Sequence, residues 1–418
     1  MLPINLYLMD MSHADNTSGV DRYIHTLLKG LETYTHIKVY WINLKHDNTI
    51  LFHREEQTEF YTKITIPLPQ QFHEIISEKF WINKYNEQVY RIVYHLFEEK
   101  ENCIIHIHTL NLIDLAVYIK THIPCKIITH LHCIPWKDLY NSNKSKFNEL
   151  FNLQLTKEKS LTGQRNKFLM NNSEFQSYTK ADVIICVTNC AKDFLQNTMD
   201  IEGIKIKVIP NGINDFKSKN TVSTKSDNEI FKMLYVGILS ESKGLNYILE
   251  AMRIVQQKGY ALSLTIAGKV RPLQAFDIKE KNRDLLLNII GRIPFEELSV
   301  YYSESDIGVI ASLQEQSSYV AIEMAMFGLP VITTAVDGLD EIFTDNVNAL
   351  KVNTFFSKAS GLMVDTEQLA EKIIFLIDNK NIKEQLGQNV RRLYETEFTL
   401  LRMMKQSVEV YKNMTGGK

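Results

Sequence analysis

The sequence predicts an α/β protein made of two doubly wound domains. Three observations carry that expectation. Short β-rich runs alternate with amphipathic helical stretches along the whole 418-residue chain, the pattern of parallel sheets covered by helices on both faces. The rhythm breaks once, at NDFKSKNTVSTKSDNEI, which is polar, lacks periodicity and reads as a linker. Each side of that break holds enough strands for a sheet of its own.

Taken in order, the first half offers strands at LPINLYLM, IKVYWIN, KITIP, CIIHIH, CKIITHLH, DVIICV and IKVIP. Their β-branched and aromatic residues suit a buried pleated surface. VDRYIHTLLKGLE and NEQVYRIVYHLFEE, between them, space their apolar residues at helical intervals. The second half repeats the rhythm with FKMLYVG, ALSLTIAG, LLLNIIG, DIGVIA and PVITT. A last amphipathic stretch, LLRMMKQSVEVYKNM, follows. The expected boundaries are 1–212, a linker at 213–229, 230–395, and a final helix in 396–418.

Composition excludes several classes. Lys plus Arg number 47 against 49 acids, a net charge of −2 without the basic excess of a nucleic-acid binder. No apolar run approaches the roughly 18 residues of a membrane span. MLPINLYLMD reads as a first strand rather than a signal peptide. Five cysteines in no regular framework suit reduced thiols, so a cytoplasmic setting is expected. Residues 137–180 carry eight Lys or Arg against four acids. That stretch reads as a solvated helix face, with weak peripheral contact at the inner face of a membrane as the alternative.

Ligands of open α/β sheets bind at the carboxyl ends of strands, so the polar residues falling there are the candidates. EQSSYVAIE follows the strand DIGVIAS directly, and YVAIEMAMFG has a helical apolar pattern. Ser317 or Ser318 is placed as the helix N-cap. Glu315 then lies in the loop, Tyr319 and Val320 open the helix, and Glu323 falls in its second turn. The free N–H groups of such a helix start meet an anion such as phosphate. A second anion site is expected where Gly237 ends a strand, Ser240 to Lys243 form a polar loop and Gly244 opens a helix, with Lys243 as a point charge. Ser18-Gly19, after the first strand, is a third candidate, and a glycine there permits close backbone approach. His130 and His132 alternate on one strand and share a face. With no third ligand identifiable, they point to hydrogen bonding with a polar substrate and to no metal. His106 and His108 read as structural.

At this point the chain resembles the GT-B glycosyltransferases, specifically the large retaining family numbered four. The resemblance runs through nearly the whole sequence and is strongest from 181 to 352. ADVIICVTNCAKDFL, IKVIPNGI and YVGILSESKG are similar to that family's segments. The most specific piece is EQSSYVAIEMAMFGLPVITTAVDGLDEIF, which combines Glu-x7-Glu, Gly-Leu-Pro-Val and Gly-Leu-x-Glu in order.

The resemblance implies two Rossmann-like domains facing across a cleft, with the final helix crossing back to the first domain. It implies a retaining glycosyltransferase that uses a UDP- or GDP-linked sugar, with no cofactor and no metal. His132, Glu315 and Lys243 would be catalytic. Glu315 would hydrogen-bond the donor sugar, and Glu323 the ribose. Lys243 and the helix start at Ser317, Ser318, Tyr319 and Val320 would hold the diphosphate, with Gly19, Gly237 and Arg292 also on the donor side. His108, His130 and Trp136 would face an acceptor that could be a glycan, a lipid-linked glycan or a peptide. The family commonly places arginine where Ile238 stands. Lys269, Arg271 and Arg292 are the candidates to replace its charge. A GT-B sugar-nucleotide epimerase and an inactive nucleotide-sugar-binding subunit are the alternatives.

Overall fold

The structure is a computed structural model, and it describes residues 3–13, 18–47, 49–68, 79–97, 99, 101–134, 173–216, 230–357 and 361–416. Trp136, most of the basic stretch 137–180 and positions 217–229 of the expected linker lie outside the described residues.

The chain divides into two compact units. Among the described residues, unit 1 comprises those up to His132, those from 173 to Asn211, and those from Leu400 onward. Unit 2, among the described residues, comprises Cys133, Ile134 and those from Gly212 to Thr399.

Unit 1 is built on an eight-stranded sheet in the order β3-β4-β2-β1-β5-β6-β7-β8. These strands are Ile4–His13 (β1), Ile37–His46 (β2), Arg54–Gln57 (β3), Tyr61–Pro67 (β4), Cys103–Ile107 (β5), Cys125–Leu131 (β6), Val183–Cys186 (β7) and Ile206–Val208 (β8). All neighbours pair in parallel except β3, which runs antiparallel to β4. Every residue of β3 is exposed, so REEQ carries no apolar alternation that sequence reasoning could read. The strand order changes direction between β1 and β5, and such a switch point is where ligands of doubly wound sheets bind.

Alternation decides what each face of this sheet carries. Tyr7, Met9, Ile105, Ile107 and Ile127 pack together on one face. Leu8, Asp10, His106, His108 and His130 therefore lie on the other. The helix Gly19–Leu31 follows β1, opened by Ser18, whose side chain accepts from the Asp21 N–H while Asp21 accepts from the Ser18 N–H. The helix Leu400–Met414 also belongs to this unit. A Cβ on Gly30 would stand 2.3 Å from Met404 Sδ, so a larger residue there would force the Met404 side chain to shift.

Unit 2 carries a six-stranded parallel sheet in the order β11-β10-β9-β12-β13-β14. Its strands are Phe231–Val236 (β9), Leu262–Ala267 (β10), Leu286–Gly291 (β11), Ile307–Ile310 (β12), Val331–Thr334 (β13) and Leu350–Val352 (β14). Two further strands, Thr354–Ser357 (β15) and Gly361–Val364 (β16), form an antiparallel pair. Both faces are covered: Met233, Tyr235 and Leu264 pack on one, and Leu234 and Val331 with Ile322 and Met326 on the other. The switch point here lies between β9 and β12, which brings their carboxyl ends side by side.

Candidate functional site

The loop after β9 is shaped by close contacts. The Gly237 N–H donates to the Ala267 carbonyl at 2.9 Å. A Cβ on Gly268 would sit 1.9 Å from the Gly237 carbonyl oxygen. The Tyr235 hydroxyl donates to the Ile238 carbonyl at 3.0 Å. A short 3-10 turn, Glu241–Lys243, leads to Gly244, whose φ of 72° is left-handed. A Cβ there would meet the Ala311 carbonyl oxygen at 1.9 Å. The Leu313 N–H in turn donates to the Ser242 carbonyl at 2.8 Å. The two switch-point loops are thus locked together, backbone against backbone.

That locking has a chemical result: the Lys243 ammonium forms an ion pair with the Glu315 carboxylate. The Ser312 hydroxyl donates to the same Glu315 oxygen at 3.3 Å. The Glu315 carbonyl accepts from the Gly338 N–H at 2.8 Å. The sequence places Lys243 and Glu315 in separate loops, and the structure joins them. Burial, and then the nearby Glu315 charge, pushes the Tyr235 hydroxyl above its ordinary range.

The helix Tyr319–Phe327 begins directly beyond. Of the two serines expected as its N-cap, the structure uses Ser318, whose side chain accepts from the Ala321 N–H at 3.3 Å. The helix is apolar apart from Tyr319 and Glu323 and lies close on β12, where a Cβ on Gly308 would stand 2.3 Å from Met324 Sδ. Glu323 is 1% exposed, and the Tyr302 hydroxyl donates to its Oε2 at 2.5 Å. Neither Tyr302 nor Ser312 is singled out by sequence, because neither sits in a motif and both act through tertiary contact.

Ile238 is 59% exposed, so its side chain fills no packed position. Lys269 follows Gly268 at the end of β10, beside β9, while Arg292 follows β11, one strand further out. At about 4.8 Å per strand, Lys269 is the nearer of the two to the β9 loop. Arg271 is exposed ahead of the helix Pro272–Lys281.

In unit 1, Gly19 is the first helical residue, and a Cβ added to it would meet nothing within 4 Å. No packing contact requires glycine there. The four histidines gather into one stack. His106 Nε2 lies 3.2 Å from His130 Nδ1, His108 Nδ1 lies 3.1 Å from His132 Nε2, and His106 Nδ1 lies 3.0 Å from the Tyr411 hydroxyl. The Tyr23 ring lies 4.5 Å from that of His130, centroid to centroid. Burial, reinforced by the neighbouring imidazoles, pushes the His106, His108 and His130 pKa values down, His106 to about 3.

Two expectations change accordingly. His108 and His130, expected on the acceptor side, are 3% and 1% exposed, so packing removes them from direct surface contact. His132 alone is half-buried. A third nitrogen ligand beside His130, not identifiable from spacing, is present: His106, His108 and His130 each offer one, and these lie within 4.8 Å of one another. Register between strands, invisible in sequence, brings them together.

Two α/β units with parallel sheets and strand-end loops at each switch point define the GT-B class of fold. Residues 17–215 match the model of Glycosyltransferase Family 4, and residues 216–393 that of Glycosyl transferases group 1. The chain belongs to this glycosyltransferase family. An uncharacterised glycosyltransferase of Methanocaldococcus jannaschii is 26% identical over 238 residues, covering 57% of this chain and 61% of that protein. The match thus spans about three fifths of that relative's length. Among solved structures, sucrose-phosphate synthase from Thermosynechococcus elongatus has a TM-score of 0.73 at 18% identity, covering 99% of this chain and 100% of its own. Anabaena HepE in complex with UDP-glucose has a TM-score of 0.65 at 13% identity, covering 97% and 99%. These structural likenesses speak to the fold. Among the described residues, no helix is long and apolar enough to cross a membrane.

Proposed function

We propose that this protein transfers a sugar, with retention of anomeric configuration, from a UDP- or GDP-linked donor to a glycan, lipid-linked glycan or peptide acceptor. The observation that carries the reading is the Lys243–Glu315 pair beside the start of the helix Tyr319–Phe327. With no donor bound, each charge balances the other. A diphosphate would replace Glu315 as the partner of Lys243, with the N–H groups of the helix start as further donors. Glu315 would then turn to the sugar hydroxyls and Glu323 to the ribose.

In the transfer, the bond from the anomeric carbon to the diphosphate oxygen breaks and a bond to the acceptor oxygen forms. The acceptor proton passes to the departing phosphate oxygen on the same face, and Lys243 with the helix dipole stabilises the charge that develops there. No metal is required at the donor. The acceptor falls to unit 1, with His132 the histidine able to meet it, in a cytoplasmic setting or at the inner face of a membrane. HepE, solved with UDP-glucose, supports a nucleotide-sugar donor by likeness of fold.

Calorimetry with UDP-glucose and GDP-mannose, in magnesium, in manganese and in neither, tests the donor. Binding of equal strength in all three is expected, and binding only with a divalent ion would sink the metal-free donor site. Proton NMR of the first-formed glycoside tests the stereochemistry, and an inverted anomer would refute retention. Binding without transfer to any acceptor, or conversion of the donor without one, would favour the binding-subunit or the epimerase reading.

A further inference from the structure

From the histidine stack of unit 1 we infer a buried site for one divalent transition-metal ion of the zinc class, held by His106, His108 and His130. The inference does not rest on the proposed transfer reaction, whose donor residues lie in unit 2. Imidazole nitrogens are the preferred ligands of such ions, and carboxylates are not needed. All three rings are buried, and their ligand nitrogens lie within 4.8 Å of one another.

The spacing fits in detail. His106 Nε2 and His130 Nδ1 are 3.2 Å apart. Two nitrogens at the usual 2.0–2.1 Å from one tetrahedral zinc stand about 3.3 Å from each other. A hydrogen bond between two neutral imidazoles would account for that pair alone. It leaves His108 Nε2 and His130 Nε2 buried without hydrogen-bond partners, and orphaned buried nitrogens ask for an explanation. Binding through His108 Nε2 supplies the partner for one of them.

The surroundings are those of a metal site. Histidine ligands generally donate their second ring N–H to an acceptor that fixes the ring. His106 Nδ1 meets the Tyr411 hydroxyl at 3.0 Å, and His108 Nδ1 meets His132 Nε2 at 3.1 Å. His106 and His108 thereby each have one nitrogen anchored and the other facing the cluster, while His130 enters through Nδ1. A divalent charge in a buried place needs a counter-charge. The His108 N–H donates to the Met9 carbonyl at 2.8 Å, so the next residue, Asp10, lies beside His108 on the same face of the sheet. Asp10 is fully buried, and its carboxylate accepts from Trp41 Nε1 at 2.6 Å and Asn43 Nδ2 at 2.9 Å. One strand spacing, about 4.8 Å, separates the Asp10 backbone from that of His108.

The test uses the full chain without a polyhistidine tag. Zinc is titrated against a chromophoric competitor, and metal content is counted by mass spectrometry after dialysis. One equivalent is expected, with a rise in melting temperature. His106→Gln should weaken binding by more than about 100-fold, and Tyr411→Phe, which only removes an anchor, by about 10–100-fold. X-ray absorption on the wild-type zinc form keeps the test decisive if a histidine variant fails to fold. At least three imidazole ligands should appear there. The inference is overturned if the protein takes up no zinc and its melting temperature does not move. It is equally overturned if both variants bind as tightly as wild type, or if absorption reports sulfur ligands from the cysteines.

Discussion

Ile238 occupies a position where the family resemblance leads one to expect arginine, and its surroundings say what should follow. The side chain is 59% exposed, so Ile238→Arg costs little packing. Its gain depends on whether a cation already serves the diphosphate. Gly268 touches the Gly237 backbone so closely that a Cβ would sit 1.9 Å from the carbonyl oxygen, which brings Lys269 next to the β9 loop. Lys269→Ala should therefore lower the transfer rate by one to two orders of magnitude, about 1.4–2.7 kcal/mol, while Ile238→Arg gains nothing. A neutral Lys269→Ala together with a faster Ile238→Arg would assign the deficit to Ile238. The two glutamates should separate as well. Glu323→Ala is expected to weaken binding of free UDP or GDP and to destabilise by about 1–3 kcal/mol, because the buried Tyr302 hydroxyl loses its acceptor. Glu315→Ala should leave nucleotide affinity nearly intact and lower turnover, since its partner would be the sugar, whose charge changes in the transition state. Equal losses of nucleotide affinity would contradict that division. Position between the strand DIGVIAS and an apolar helix start, within an ordered motif, exposed both glutamates in the sequence. It could not reveal that Lys243 touches Glu315, because 72 positions separate them and only sheet topology closes the gap.

At the scale of elements, the loop-to-loop lock after β9 and β12 depends on backbone that has no room for side chains. Gly244 and Gly259 make a controlled comparison. Both have left-handed φ values, 72° and 87°, but a Cβ on Gly259 meets nothing within 4 Å, while one on Gly244 runs into the Ala311 carbonyl. Gly259→Ala should cost only the backbone penalty, about 1–2 kcal/mol. Gly244→Ala must add a clash that nothing flexible can relieve, so its loss by chemical denaturation should clearly exceed that of Gly259→Ala. Equal losses would mean that the lock yields easily. The sequence marked Gly244 as a helix start but gave no sign of Ala311 opposite it. A similar limit explains which strands were legible. Buried parallel strands such as Phe231–Val236 announce themselves by apolar composition, whereas Arg54–Gln57 is wholly exposed and is held by its pairing with Tyr61–Pro67. The histidines fall between these cases: alternation put each pair on one face, but only the register of β5 against β6 made them a cluster.

For the molecule as a whole, chain order and spatial grouping disagree, most plainly at the end of the chain. Unit 2 is continuous from Gly212 to Thr399, but unit 1 takes up the residues from Leu400 onward. The helix Leu400–Met414 buries Met403, Met404, Val408 and Tyr411 in unit 1, and its Tyr411 hydroxyl meets His106. A chain ending at Thr399 would uncover those surfaces on unit 1 and leave the sheet and both switch-point loops of unit 2 whole. Removing a helix with this much buried apolar area should cost several kcal/mol, at about 1.5–3 kcal/mol per large side chain. The loss should fall on unit 1. Hydrogen exchange read by mass spectrometry can apportion it, because local opening free energies differ between cooperative segments. Faster exchange is expected in β1, β5 and β6 of the truncated chain, with little change in β9 and β12. UDP-glucose or GDP-mannose, whichever binds the full chain, should still protect residues 237–244 and 312–323 of the truncated one. If truncation instead abolishes that protection while unit 2 keeps its native exchange pattern, unit 2 by itself does not hold the donor, and the assignment of donor binding to its switch point fails.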